Sequence, residues 1–293
     1  MKIKKAVIPV AGKGTRFLPA TKQIPKEMIP ILDKPMIHYA VEEAVKSGIE
    51  EVLFVTASGK ESIENYFDRN LELESFLQKA GKEELCDKIK KIGSMIEVAT
   101  VRQKEQLGLG HAIACAESFV GQESFAVILG DDLIQSERPV SAQLIETSER
   151  NEMSSVIGVM EIPQQDTDKY GVVEGEFLNS DNKTLRMKSM VEKPEPSNAP
   201  TNLATPGRYI LNERIFDCLR EIPRGKGGEY QLTDAINMLA EKESVYAHIF
   251  AGDRFDTGNV PSYLNATIEF ALRDERYAED MKKLINEKAA KLK

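Results

Sequence analysis

Short continuous apolar runs alternate along the chain with segments whose apolar positions recur every three or four residues. Residues 6–10 (AVIPV), 52–56 (VLFVT), 96–101 (IEVATV) and 125–129 (FAVIL) are mostly β-branched or aromatic, the pattern of strands buried on both faces. Pro9 weighs against a central place for the first, since proline has no N–H to give to a ladder. Between the runs, Ile37, Ala40, Val41, Ala44 and Val45 form a helical stripe that opens near Pro35, suited to a first turn, and stops at Gly48. Residues 71–92 and 111–119 carry weaker stripes. Strands and helices in alternation predict parallel strands joined by crossover helices.

From residue 154 the texture changes. Segments 154–162, 171–174, 185–191, 208–211 and 245–250 are strand-like, 195–204 is a Pro/Asn/Ser/Thr-rich loop, and 230–242 and 260–273 are helical. The expected fold is α/β: a Rossmann-like, doubly wound, mostly parallel mixed sheet with an inserted β-rich lobe and a C-terminal helical tail. Residues 1–273 form one unit, and the charged tail 274–293 is a solvated or subunit-packing helix.

Composition narrows the classes. The chain has 293 residues, 41% hydrophobic, enough for one large core. A net charge of −8 argues against a nucleic-acid or anionic-membrane surface, though not against a small anionic ligand, which needs only local cations. Cys86, Cys115 and Cys218 are far apart without a C-x-x-C pair, which predicts reduced structural thiols. The basic N-terminus lacks a signal-length apolar run and no stretch reaches membrane-span length, so a cytoplasmic location is expected. His38, His111 and His248 are scattered with no ligand spacing, which disfavours zinc.

Two places carry chemistry. The loop after the first strand reads Ala11-Gly12-Lys13-Gly14-Thr15-Arg16-Phe17, then Lys22 and Ile24-Pro25-Lys26-Glu27-Met28. Glycines at the carboxyl end of a first strand let backbone N–H groups approach phosphates. Lys13, Arg16, Lys22 and Lys26 precede the first acid, Glu27, and so suit a triphosphate. The alternative is an ordinary surface turn. Phe17 stands at the third glycine of G-x-G-x-x-G, so the dinucleotide fingerprint fails, and no Walker-type loop occurs. The second place is Gly130-Asp131-Asp132, after the strand at 125–129. Carboxylates there face the crevice where α/β sheets bind ligands, and Mg²⁺ favours one or two carboxylates plus substrate phosphates. An Asx turn is the alternative. Asp256, in Phe255-Asp256-Thr257-Gly258-Asn259, is a second candidate ligand.

With these blocks stand Val101-Arg102-Gln103, Gly108-Leu109-Gly110-His111-Ala112, Lys169-Tyr170-Gly171-Val172-Val173, Val191-Glu192-Lys193-Pro194, Asn202-Leu203-Ala204 with Gly207-Arg208-Tyr209, and Glu229-Tyr230-Gln231-Leu232-Thr233-Asp234-Ala235. From about residue 5 to 273 the chain resembles the sugar-phosphate nucleotidyltransferase family, and within it the uridylyltransferases. The resemblance implies Mg-assisted uridylyl transfer from UTP to α-D-glucose 1-phosphate, giving UDP-glucose and pyrophosphate by a single in-line displacement. It implies a nucleotide-binding part at about 1–150 and a sugar-binding part at about 151–273. Ala11, Gly12, Gly14, Thr15 and Arg16 would hold the nucleotide, with Lys26 on the departing β- and γ-phosphates. Gln103 would read uracil through one donor and one acceptor, and Gly108 would present backbone to the base. Gly171, Glu192 and Asn202 would contact the sugar, Lys193 its phosphate, and Asp131 and Asp256 would share the Mg²⁺. Arg16, Lys26, Asp131 and Lys193 would be the catalytic set. A homo-oligomer, dimer or tetramer, is expected, working in carbohydrate metabolism that feeds cell-envelope polysaccharide. His111, near a helix start, is read as a packing or hydrogen-bonding residue.

Three rivals differ in observable ways. The same chemistry could use another base or sugar, as in thymidylyl or cytidylyl transfer. A catalytically silent nucleotide-sugar sensor would have lost Arg16, Lys26, Asp131 or Asp256, and all four are present. A dehydrogenase would need the third glycine and a ribose-binding acid where Thr56-Ala57-Ser58 stands.

Overall fold

A computed structural model describes residues 2–178 and 182–292. The chain opens with β1 (Lys5–Pro9), a loop of three single-turn 3₁₀ segments, the ribbon strands β2 (Pro30–Ile31) and β3 (Lys34–Pro35), α1 (Met36–Lys46) and β4 (Glu51–Thr56). Then come α2 (Glu61–Phe67), α3 (Leu71–Lys79), α4 (Glu83–Ile92), β5 (Glu97–Arg102), α5 (Leu109–Ala114), α6 (Glu117–Val120), β6 (Phe125–Ile128), β7 (Asp132–Gln135) and α7 (Val140–Arg150). The second half holds β8 (Val156–Glu161), β9 (Gly171–Phe177), β10 (Thr184–Glu192), β11 (Leu203–Thr205), β12 (Arg208–Leu211) and α8 (Ile215–Glu221). It ends with α9 (Leu232–Lys242), β13 (Tyr246–Ile249), β14 (Asp253–Asp256), α10 (Val260–Arg273) and α11 (Ala278–Lys291).

One sheet of order β11-β9-β10-β13-β8-β12-β6-β1-β4-β5 organises the molecule. Strands β6, β1, β4 and β5 are parallel, each step crossing over through helices. β12 enters antiparallel between β6 and β8. Beyond it only β8–β13 is parallel among the described pairings; β13, β10, β9 and β11 run antiparallel to their neighbours. β10 follows β9 too closely for a crossover, so a hairpin-like pairing is the available solution. Because β11 also pairs with β8, strands β8, β13, β10, β9 and β11 close into a ring. The β-rich lobe read from the sequence is thus, as expected, a continuation of the first sheet. A small second ribbon pairs β7 with β14, setting Asp132 opposite Asp256.

Pleating divides each strand between two cores. Ala6 and Ile8 join α1's Ala40, Val41 and Ala44 on one face, while Val7 joins Ile113 and Leu239 on the other. A third cluster, with Leu133, Phe255, Ala266 and Phe270, backs the β7–β14 ribbon against α10. Pro9 is tolerated for a specific reason. Val10 N–H bonds Val55 of β4, so the donor that Pro9 lacks would point toward β6, whose pairing with β1 ends at Val7.

Several boundaries differ from the sequence reading. The stripe at 71–92 is two helices, because Gly81 adopts φ +68 and turns the chain. The stripe at 111–119 is likewise split into α5 and α6. Pro35 caps α1 from outside rather than occupying its first turn. The loop ending at 204 gives its last two residues to β11. The sequence reading leaves out helices α2, α7 and α8 and the strands β7 and β14. The tail forms α11, none of whose residues is buried. Among the described residues no helix is long and apolar enough to cross a membrane.

Candidate active site

The loop after β1 is shaped by two glycines with different duties. Gly14 has φ +62, and a Cβ there would lie 3.2 Å from both the Lys26 Cβ and the Thr21 Cγ2, so glycine is dictated by turn and packing together. A Cβ at Gly12 would meet nothing within 4 Å, leaving its backbone open on the outer side. Thr21 Oγ1 donates to the Gly14 carbonyl at 2.7 Å, closing the loop on itself. Phe17, which broke the dinucleotide fingerprint, is buried against the Tyr263 ring edge-on at 5.8 Å and pins the loop to α10. Ala11 is buried, and its carbonyl accepts from Gln106 Nε2 at 2.6 Å. Thr15 and Arg16 project from the first 3₁₀ turn and are exposed.

Asp131 follows the end of β6 beside this loop. Its Oδ2 accepts from Lys26 Nζ at 2.6 Å, and its backbone carbonyl accepts from Thr257 N (3.0 Å) and Thr257 Oγ1 (2.7 Å). Burial opposes ionisation of Asp131, but the Lys26 ammonium prevails and holds the carboxyl below its usual range. Lys26 is likewise desolvated, yet Asp131 and Glu27 keep its pKa raised. Asp256 arrives from β14, and its Oδ1 accepts from Gly258 N at 2.8 Å. A Cβ at Gly258 would stand 3.0 Å from Asp256 Oδ1, 3.5 Å from an Arg16 guanidinium nitrogen and 4.0 Å from Asp131 Oδ2. Three predicted residues from three parts of the chain therefore meet around one glycine.

The opposite wall comes from the strand ring. Register sets Gly171 directly across from Glu192 on β10 and Thr205 on β11. A Cβ at Gly171 would run into Met190 Cε at 2.3 Å and approach Glu192 Oε2 at 3.4 Å. Glu192 Oε2 accepts from Thr233 Oγ1 at 2.7 Å, which fixes the carboxylate. Lys193 has φ +47, its N–H bonds the Tyr170 carbonyl at 2.9 Å, and its Nζ rests 3.5 Å from Glu192 Oε1 with the side chain more than half exposed. Arg16, Asp131, Asp256, Gly171, Glu192 and Lys193 all line one cleft of about 660 Å³. A larger cavity of about 980 Å³ has mixed charges and none of the predicted residues in its wall.

Asn202 is not brought to the cleft. Its amide Nδ2 donates to the Ile162 carbonyl at 3.3 Å, and its own carbonyl accepts from Ile162 N at 3.0 Å, so it splices the loop onto the end of β8. Gln103 and Gly108 stand outside the cleft wall, in the loop that Gln106 ties to Ala11. Gln103 is buried, and its Nε2 donates to the Gly108 carbonyl and meets His111 Nδ1, both at 3.1 Å. Gly108 has φ +96, and a Cβ would lie 2.7 Å from the Glu229 Cβ and 2.9 Å from the Tyr230 carbonyl. Packing against residues 229 and 230 is thus sufficient reason for glycine there.

Sequence reasoning missed the groups that join the two walls. Arg254 bonds Asp132 Oδ1, donates to Tyr170 Oη at 2.6 Å and lies 4.9 Å from the centre of the Tyr170 ring. Burial pushes Asp132 up to about 7 despite Arg254, so the adjacent acids differ: Asp131 is held ionised and Asp132 is tied into the protein. Strand alternation sets residues 254 and 256 on the same face of β14, a signal the sequence did contain.

Among the described residues no group of three or more His, Cys, Asp or Glu is arranged to hold a metal. Two carboxylates flanking Gly258 are instead a partial shell of hard oxygen donors, suited to a divalent cation that brings phosphate oxygens with it.

Comparison with known proteins identifies the family. The family model described as nucleotidyl transferase matches residues 5–272. The UTP–glucose-1-phosphate uridylyltransferase of Bacillus subtilis is 47% identical over 280 residues, 96% of this chain and 95% of that protein. A UTP-bound UGPase from Acinetobacter baumannii superposes with a TM-score of 0.90 at 42% identity, covering 97% of this chain and 99% of the other. A UDP-glucose pyrophosphorylase complexed with UDP-glucose gives 0.84 at 42% identity, covering 93% and 100%.

Proposed function

Because this chain belongs to the nucleotidyl transferase family, we propose that its cleft transfers the uridylyl group of UTP to glucose 1-phosphate, releasing pyrophosphate and UDP-glucose. The observation that carries the assignment is the convergence of Arg16, Asp131 and Asp256 at Gly258, facing Glu192 and Lys193 across one cleft. Relatives of nearly full-length coverage carry the same activity in their names, and similar structures hold UTP or UDP-glucose.

The chain's own groups position and neutralise. The open backbone at Gly12 and the Arg16 guanidinium take the triphosphate. Lys26 leaves Asp131 for the β- and γ-phosphates, stabilising the charge that accumulates as pyrophosphate departs. Asp131 and Asp256 would hold Mg²⁺, which would supply charge neutralisation at the reacting phosphates. Lys193 carries the sugar phosphate, and Glu192, fixed by Thr233, accepts hydrogen bonds from glucose hydroxyls beside Gly171. Because Gln103 spends its Nε2 on Gly108 and His111, Oε1 is the atom left to accept the uracil N3–H. The attacking phosphate is already ionised at neutral pH, so no general base is required. The exposed Val260, Leu264 and Ile268, spaced by four along α10, support assembly into a homo-oligomer.

Pyrophosphate release measured across the four nucleoside triphosphates and several sugar 1-phosphates tests the assignment. UTP with glucose 1-phosphate should be preferred, and turnover with a chirally labelled α-phosphorus should invert it. Retention, or pyrophosphate exchange into UTP without sugar phosphate, would indicate a nucleotidylated enzyme and overturn the single displacement.

A further inference from the structure

Arg208 is 1% exposed, an unusual place for a guanidinium. It sits on β12 in register with Ile128 of β6, one residue before the chain leaves the sheet toward Asp131. Its Nη1 donates to the Leu129 carbonyl at 3.0 Å and its Nη2 to the Asp132 carbonyl at 2.6 Å. These carbonyls bracket Gly130 and Asp131. Glu43 of α1 takes Nε on both carboxylate oxygens at 3.1 Å and Nη2 on Oε2 at 2.9 Å, and Nη1 also reaches the Gly207 carbonyl at 3.5 Å. Glu43 is itself fixed by Ser141 at the start of α7, through the backbone N (3.1 Å) and Oγ (2.6 Å).

The neighbourhood is built to admit this side chain. A Cβ on Gly158 of β8 would lie 3.1 Å from the Arg208 carbonyl and 3.2 Å from the Arg208 Cβ. A buried ion pair contributes little net stability compared with apolar residues of the same volume, so stability alone does not account for it. A planar fork with five donors can serve two carbonyls and a carboxylate together, which a lysine ammonium cannot. With Thr257 on the Asp131 carbonyl, the carbonyls of residues 129, 131 and 132 are all held from within the protein.

We propose that Arg208, locked by Glu43, is a positioning residue that fixes the turn at Gly130 and Asp131 so that the Asp131 carboxylate is aimed at the divalent cation. The proposal rests on the reading that Asp131 takes that cation during uridylyl transfer. It touches neither substrate nor metal; it acts through the backbone.

The test uses the full chain with Arg208→Lys and Glu43→Gln. Mn²⁺ binding in the presence of UDP-glucose is read by electron paramagnetic resonance, beside the half-saturating Mg²⁺ concentration and both KM values. Arg208→Lys should weaken Mn²⁺ binding at least tenfold and raise half-saturating Mg²⁺ in parallel, with KM for glucose 1-phosphate within twofold of the parent. Glu43→Gln should move the same quantities less. A lowered melting temperature with parental Mn²⁺ affinity would mean a merely structural role and overturn the proposal. If Arg208→Lys does not fold, Ser141→Ala decides, since it loosens Glu43 but leaves the ion pair. A shift of about threefold supports positioning, and none overturns it. A parent enzyme with no cation requirement would instead sink the underlying reading, so the two failures are distinguishable.

Discussion

Lys26 Nζ and Asp131 Oδ2 stand 2.6 Å apart although 105 positions separate them in the chain. In the absence of substrate each satisfies the other, and each is also the residue expected to leave for a more highly charged partner. The pair keeps a cation and an acid from facing each other unpaired in the cleft, and on the proposed reading the triphosphate would take over Lys26 and a divalent cation would be held by Asp131. Asp131→Asn should fold normally, because its backbone is held independently by Thr257, while kcat falls by about 10²–10³-fold, the scale of a lost electrostatic group in a transition state. Lys26→Ala should lose activity comparably. Chelation with EDTA should abolish turnover in the parent, and full activity of Asp131→Asn at saturating Mg²⁺ would remove Asp131 from the mechanism.

Lys193 belongs to the other wall. With a half-exposed ammonium near Glu192, Lys193→Ala should raise KM for glucose 1-phosphate and leave UTP binding near the parental value. A lost charge-assisted hydrogen bond of about 1.5–3 kcal/mol corresponds to roughly 10–150-fold. Titration of UTP alone by calorimetry separates the walls: a large loss of UTP affinity would move Lys193 to the triphosphate side.

Gln103 and Gly108 should part company under mutation. Gln103→Ala removes an acceptor for the N3–H of the base, and the ratio of kcat/KM for UTP over CTP should fall by about 1–3 kcal/mol in discrimination, while the ratio over dTTP, which carries the same N3–H, should hold. Gly108→Ala forces a Cβ to within 2.7 Å of Glu229 at φ +96 and should destabilise the fold by about 1–3 kcal/mol. Urea melts and base-competition kinetics together check this. Unchanged stability in Gly108→Ala would refute the packing account.

His38 gives a pH signature unrelated to catalysis. Burial, with Lys34 and Lys88 opposing Glu42 and Asp33, lowers its pKa to about 4 from 6.5, and its Nδ1 lies 3.0 Å from Tyr66 Oη. The unfolded chain therefore takes up a proton that the folded one refuses. Stability from the neutral ring is complete above pH 6.5 and is lost as pH falls toward 4, with a slope of up to about 1.4 kcal/mol per unit. Denaturation midpoints from pH 7.5 to 4.5 should fall less steeply in His38→Gln than in the parent. Parallel slopes would mean His38 is not neutral in the fold.

The sequence by itself determined the parallel strands around β1 and marked the glycine-and-cation loop and the acids at 131 and 256 as candidates, because each is written in contiguous residues: apolar runs, glycines between cations, carboxylates at strand ends. The family motifs extended that reading to Glu192 and Lys193. Where the sequence reading stops, the cause is through-space. The motif places Asn202 at the sugar, while the fold sets its amide on the Ile162 carbonyl. Arg254 links the walls only because β14 lies against β7. Arg208 and Glu43 are 165 positions apart and meet because β12 is inserted beside β6. An arginine in an apolar strand and a glutamate on a helical stripe look locally like misplaced charges. Only the order of strands in the sheet, set by burial of the whole chain at once, decides which buried charge finds its partner and which backbone that partner holds still.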